Sequence, residues 1–226
     1  VNALSSKFLI EKAIENNVKQ FIFASSGSVY GIKEESQVTE DLPLVPITDY
    51  NKTKMISESV LLSFRDEITL NIVRPATVCG YSPRMRLDVS VNLFTMQALS
   101  KGKITVFGGD QVRPNIHIDD IADLYLHLID HPEVTGIYNA GFENISIMDI
   151  AKLVTKYVPV EIAVTPSNDP RSYRVNSDKL LATGFKPKKS VEDALREIIE
   201  KYRSGILKDD EHFHNLKWMQ KTVLVK

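Results

Sequence analysis

Apolar positions open the chain at helical spacing: Leu4, Phe8, Leu9, Ala13 and Ile14 form one stripe within residues 1–19. The next run, Gln20–Ser26, is almost wholly apolar and ends in small polar residues. That pattern predicts a strand buried on both faces of a parallel sheet. A loop rich in Pro, Glu and Thr fills 31–48, and a helix is expected from about Tyr50 to Arg65. Leu70–Arg74 reads as a second buried strand, stopped by Pro75. Helix, strand, loop, helix and strand in this order predict α/β architecture with a parallel sheet.

From about Gly80 the texture changes. A loop and helix over 81–100 lead to a short strand, Ile104–Phe107, and a Gly108-Gly109-Asp110 turn. Asn115–Ile118 reads as a strand, and Asp119 or Asp120 is expected to cap a helix that runs to about His131. Ile137–Ala140 and Glu161–Val164 read as strands, and Ser146 as the cap of a helix over 147–157. Ser190-Val191-Glu192-Asp193 opens an amphipathic helix to about Arg203 in the manner of a capping box. The tail from Gly205 has no clear period.

Composition narrows the function classes. The 226 residues are 43% hydrophobic and 25% charged with a formal charge of -1, an ordinary globular balance. No basic or acidic run marks a nucleic-acid or membrane-surface partner. No apolar run approaches the roughly 20 residues of a membrane helix, and the start Val1-Asn2-Ala3-Leu4 lacks a signal-peptide pattern. One cysteine, Cys79, excludes an intramolecular disulfide and fits a reducing compartment, so a cytoplasmic protein is expected. The first helix has no cap in front of it and the chain no initiator Met, so the sequence reads as cut into.

Chemistry enters with Tyr50 and Lys54, four residues apart and therefore on one helix face. An ammonium beside a phenol favours the phenolate and lowers its pKa from about 10, which makes tyrosine a usable acid or base for alcohol–ketone interconversion. Ser25 and Ser26 end a parallel strand, where open α/β sheets hold ligands. A serine there can hydrogen-bond the reacting hydroxyl while the tyrosine moves the proton. Other constellations carry less. His212 and His214, two apart in the tail, read as a solvated or core pair and not as a metal site, Cys79 suits a small buried hydrophobe, and Gly108-Gly109 is a turn.

Four ordered motifs carry a family resemblance: Phe23-Ala24-Ser25-Ser26-Gly27-Ser28-Val29-Tyr30-Gly31, Tyr50-Asn51-Lys52-Thr53-Lys54, Arg74-Pro75-Ala76-Thr77-Val78-Cys79-Gly80, and Arg113-Pro114-Asn115-Ile116-His117-Ile118-Asp119-Asp120. Over residues 1–204 the chain resembles the extended short-chain dehydrogenase/reductases, which include nucleotide-sugar 4-epimerases, 4,6-dehydratases and 4-reductases. The resemblance implies a Rossmann-like parallel sheet, present as its C-terminal half only, with a smaller α/β substrate-binding domain. Residues 1–80 would belong to the first and 81–226 mainly to the second, with 110–140 returning to the Rossmann sheet.

It further implies Ser26, Tyr50 and Lys54 as catalytic residues, and Tyr50, Lys54 and Pro75 at the cofactor, NAD with NADP as the alternative. Arg113 matches an arginine that clamps a nucleotide pyrophosphate, and Asn92 an asparagine beside the diphosphate. Ser28 stands where relatives face the sugar, and Thr77 where many epimerases carry Asn. Arg84, Arg86, Arg171 and Arg174 are further cations for a dianionic diphosphate. The resemblance implies a homodimer through a four-helix interface, with Phe8 on one helix and Ile56, Val60 and Leu61 as surplus apolar residues on the other.

Two departures shape the reading. The Gly-x-x-Gly-x-x-Gly turn that seats a dinucleotide pyrophosphate is absent from the sequence. These 226 residues alone are therefore expected to bind NAD(H) negligibly. Dehydratases follow their catalytic threonine with Asp-Glu, whereas this chain has Gly27-Ser28, which disfavours dehydration. The expected activity is C4 epimerisation of a nucleotide-diphosphate sugar through a transient 4-keto intermediate. A 4-keto reductase using the same residues is the alternative, and an inactive remnant or binding domain is the alternative from another class.

Overall fold

A computed structural model describes residues 2–167 and 172–222. In chain order its first elements are α1 (Asn2–Glu15), β1 (Gln20–Ala24), α2 (Asp49–Leu62), β2 (Thr69–Pro75) and β3 (Thr77–Cys79). There follow α3 (Ser90–Lys101), β4 (Lys103–Phe107), β5 (Val112–His117), α4 (Ile118–Asp130), β6 (Gly136–Ala140) and β7 (Glu143–Ser146). The chain closes with α5 (Ile147–Thr155), β8 (Glu161–Thr165), α6 (Asp178–Leu181), α7 (Val191–Arg203) and α8 (Asn215–Thr222). It folds as two compact units. The first comprises Val1–Ala76, Ile121–Phe142 and Arg171–Pro187, and the second Thr77–Asp120, Glu143–Pro170 and Lys188–Lys226.

The first unit is built on a parallel sheet in the order β1-β2-β6. Gln20 pairs with Thr69 through to Ala24 with Val73, and Asn71 with Gly136 through to Pro75 with Ala140. The central strand β2 is buried from Leu70 to Arg74, its polar Asn71 and Arg74 included. β1 is only part-buried, short of the two-sided burial its sequence predicts, because it is an edge of this sheet among the described residues. Ile10 of α1 and Leu61 of α2 pack with Ile68, Leu70 and Ile72 to form the core. Leu61 is thus a core residue and not part of a surplus apolar face. Ile56, Leu4, Phe8 and Leu9 are exposed.

The second unit holds two small sheets. β3 runs parallel to β5 and β5 antiparallel to β7, while β4 pairs in parallel with β8. Of the stretch 110–140, β6 therefore joins the β1-β2-β6 sheet and β5 does not. Val91, Phe94 and Ala98 of α3, Ile104 and Val106 of β4, Ile150 and Val154 of α5, and Leu195 and Ile199 of α7 share one core. Ser146 caps α5, and Ser190 with Asp193 completes the capping box of α7. The expected aspartate cap of α4 does not form: the helix starts at Ile118, and Asp120 instead accepts the backbone N–H groups of Lys188 and Lys189 at 2.8 and 3.1 Å. The unread tail folds back, so that Leu207 and Phe213 pack on Met85, Leu87, Met96 and Ile198.

Cys79, 1% exposed, lies in the core of this unit. Burial first, and then the charge of Glu143, push its thiol up to about 12. The native thiol should therefore resist alkylation at pH 8 and react only on unfolding. Mass spectrometry of the Cys79 peptide after iodoacetamide treatment reads this, and rapid native labelling would contradict it.

Candidate active site

The carboxyl end of β1 gathers the first group of sequence-predicted residues. The strand continues through a Ser25 N–H bond to the Val73 carbonyl at 2.8 Å. Ser26 then caps a 3-10 turn, Gly27–Tyr30, by accepting the Ser28 N–H at 3.2 Å. A Cβ at Gly27 would sit 3.3 Å from the Pro75 carbonyl oxygen, so the missing side chain lets this turn lie against the end of β2.

Helix α2 grips the turn from one side. Thr48 caps the helix by accepting the Asn51 N–H, which fixes its start one residue before Tyr50. Asn51, Lys54 and Glu58 are spaced three and four residues apart and share a face. Lys54 Nζ donates to the Ala24 carbonyl at 2.7 Å and lies 5.8 Å from the centre of the Tyr50 ring. Ser28 Oγ donates to Asn51 Oδ1 at 2.7 Å, and the Ser26 and Ser28 hydroxyl oxygens are 2.7 Å apart. The Ser25 hydroxyl donates to the Glu58 carboxylate. Tyr50, in the first turn, keeps 52% of its surface exposed.

Behind the grip lies a buried ion pair. Arg74, the penultimate residue of β2, is 3% exposed and Glu58 is 1% exposed. Arg74 Nη2 and Nε donate to Glu58 Oε2 and Oε1 at 2.6 and 3.1 Å. Arg74 Nη1 donates to Tyr30 Oη at 2.7 Å and to the Glu40 carbonyl at 3.3 Å, and the Tyr30 hydroxyl donates to Asn139 at 2.8 Å. Burial by itself would lower the Arg74 pKa, but the hydrogen bond and charge of Glu58 outweigh it and hold the guanidinium up. Burial raises the Tyr30 phenol, with Arg74 opposing. Burial also pulls the Lys54 ammonium below its ordinary value, and Glu58 only partly restores it.

The structure thus brings together Ser26, Ser28 and Lys54, with Tyr50 on the same helix and Pro75 ending the neighbouring strand. Of the other predicted positions, Arg174 lies in the first unit, where its carbonyl accepts the Val38 N–H at 2.7 Å, and Thr77, Asn92, Arg113, Arg84 and Arg86 lie in the second. Thr77 on β3 pairs with Asn115 of β5. The Asn92 amide is engaged locally, accepting from Gly80 N–H at 3.0 Å and donating to the Arg86 carbonyl at 2.8 Å. Arg113 Nη1 donates to the Val112 carbonyl at 3.4 Å. Arg84 is held by the tail: it donates to Asn215 Oδ1 at 3.0 Å and lies 5.6 Å from the Trp218 ring. Arg86 pairs with Asp88 at 2.8 Å. Arg171 lies outside the described residues.

Asn51, Glu58 and the Arg74 pair are the members of the site that sequence reasoning missed. Their one signal was spacing: Glu58 stands four residues after Lys54, and Asn51 follows Tyr50 directly. Among the described residues no group of three or more His, Cys, Asp or Glu side chains could hold a metal, and no helix is long and apolar enough to cross a membrane. The nicotinamide end of a dinucleotide fits what is present, a part-buried lysine turned to an open strand end beside a serine cap. The Gly-x-x-Gly-x-x-Gly pattern does not occur within these 226 residues.

Sheet, crossover helices and strand-end site define a Rossmann-type α/β protein. The chain belongs to the NAD dependent epimerase/dehydratase family, whose sequence profile matches residues 1–141. It is 29% identical to the UDP-glucose 4-epimerase of Lactobacillus helveticus over 216 residues, 83% of this chain and 65% of that protein. It is 25% identical to the dTDP-D-glucose 4,6-dehydratase of Mus musculus over 99% of this chain and 64% of that protein. The chain thus spans somewhat under two thirds of the length of these relatives. Among solved structures, the UDP-glucuronic acid 4-epimerase of Bacillus cereus in complex with UDP-glucuronic acid and NAD is 26% identical, with a TM-score of 0.79 over 90% of this chain and 67% of that one.

Proposed function

We propose that the whole protein is an NAD(P)-dependent nucleotide-sugar epimerase acting at sugar C4 through a transient 4-keto intermediate. The observation that carries this reading is the gathering of Ser26, Ser28 and Lys54, with the first turn of the Tyr50 helix, around the carboxyl end of β1. Tyr50, ionised beside Lys54, takes the proton of the sugar 4-hydroxyl and returns it when the keto sugar has presented its other face. Ser26 holds that oxygen throughout. Lys54 orients the nicotinamide ribose and favours the phenolate. NAD, when bound, supplies the hydride acceptor and donor at C4. The resemblance assigns the sugar to Ser28 and Thr77 and the diphosphate to Asn92, Arg113, Arg84 and Arg171, which supplies binding energy remote from the reacting carbon.

Dehydration needs an acid and a base where this chain has Gly27 and Ser28. A side chain at Gly27 would crowd the Pro75 carbonyl, and a serine hydroxyl does not exchange protons with carbon near neutral pH. The test is to incubate the full-length protein and NAD with a panel of UDP- and dTDP-hexoses and separate the products. A C4 epimer formed without net cofactor turnover is expected. A 4-keto-6-deoxy product, or stoichiometric NADPH consumption on a keto sugar, would replace this reading with dehydration or reduction.

We also propose a homodimer through α1 and α2, supported by the exposed Leu4, Phe8 and Leu9 on the first and Ile56 on the second. Light scattering of the full-length protein should give twice the monomer mass, and Phe8→Asp should shift it to monomer. A monomeric wild type would end this proposal.

A further inference from the structure

We infer that Ser25 and Glu58 form a positioning clasp that sets the Ser26 hydroxyl relative to the helix bearing Tyr50 and Lys54. The inference rests on the C4 chemistry proposed above, and it assigns new work to two residues outside the reacting set.

The geometry starts from neighbours. Ser25 immediately precedes Ser26, Glu58 stands one helical turn beyond Lys54, and Arg74 immediately precedes Pro75. A single buried carboxylate therefore ties all three elements of the site: α2 through Glu58 itself, β1 through the Ser25 hydroxyl, and β2 through Arg74. Ser25 is 4% exposed, so its hydroxyl is committed inward. Lys54 holds Ala24 on one side of Ser25, and Asn51 holds Ser28 on the other. The strand end is thereby gripped at positions 24, 25 and 28, with Ser26 carried between them.

Proton transfer through a serine and a tyrosine needs their oxygens held within a few tenths of an ångström. A hydrogen bond to a buried carboxylate is short and strongly directional, which suits this task better than a neutral bond would. The ion pair would hold the core together without Ser25. What Ser25 adds is the link from that pair to the residue before the serine cap.

The experiment uses the full-length protein and compares Ser25→Ala with Ser57→Ala. Ser57 is a fully buried hydroxyl of the same helix that donates to the Thr53 carbonyl at 2.9 Å and lies outside the site. Ser25→Ala should lower kcat about tenfold with KM within about twofold, an effect on transition-state geometry and not on substrate binding. Ser57→Ala should leave kcat within about twofold. Amide hydrogen exchange supplies a readout independent of turnover: the peptide covering 25–31 should exchange faster in Ser25→Ala, while peptides of α1 and β2 keep wild-type rates.

Unchanged kcat in Ser25→Ala overturns the clasp, as does a loss carried by KM. Equal losses in the two serine variants also overturn it, because the effect would then be general to buried hydroxyls. If the wild type turns over no nucleotide sugar, the C4 reading falls and exchange alone decides the clasp. Faster exchange confined to 25–31 supports it, and wild-type exchange there removes it.

Discussion

Tyr50→Phe in the full-length protein should lower turnover by about 10²–10⁴-fold, the range that one positioned general acid–base group contributes. Affinity for NAD should stay within a few-fold of wild type, because the substitution removes one hydroxyl at the rim of α2 and leaves Lys54 with its bond to Ala24. Calorimetric titration with NAD, beside product analysis on the same preparation, separates the two effects. Turnover within about tenfold of wild type would show that another group moves the proton. A collapse of cofactor affinity would assign Tyr50 to binding.

Arg74→Ala should destabilise the fold by about 3–5 kcal/mol, the cost of stranding one member of a buried ion pair. The figure follows from the 1% exposure of Glu58, whose carboxylate would then keep only the Ser25 hydroxyl among the partners described above. Tyr30 and the Glu40 carbonyl would lose their donor at the same time. Urea unfolding of both proteins measures the difference. Replacing both partners with apolar residues, as in Glu58→Leu with Arg74→Met, should cost less than Arg74→Ala alone, because no charge is left buried. A loss below about 1 kcal/mol for Arg74→Ala would mean that water reaches Glu58 in solution.

Much of the architecture could be read along the chain because it depends on short-range periodicity. The expected strands at Gln20–Ala24 and Leu70–Arg74 are parallel strands, and Ser146 and Ser190 are caps, since a hydroxyl before an amphipathic stretch meets orphan N–H groups wherever the helix packs. The pairing of Tyr50 with Lys54 on one helix face was equally a matter of spacing.

The features that escaped were those in which the partner lies far along the chain. β3, three residues long, and β7, mostly polar, are too short to show a period, and they exist because β5 lies between them. Asp120 had the look of a helix cap until the backbone of Lys188 and Lys189 came within reach. Arg84 had the look of a cation for the diphosphate, and only the tertiary fold brought Asn215 and Trp218 of the tail to it. Glu58 is the clearest case. A glutamate on a helix ordinarily faces water, and only the packing of α2 beside β1 and β2 gave it Ser25 and Arg74. Periodicity follows from the geometry of one element and is written in consecutive residues. Which charges meet in the interior follows from strand register and helix packing, and tertiary structure alone decided that.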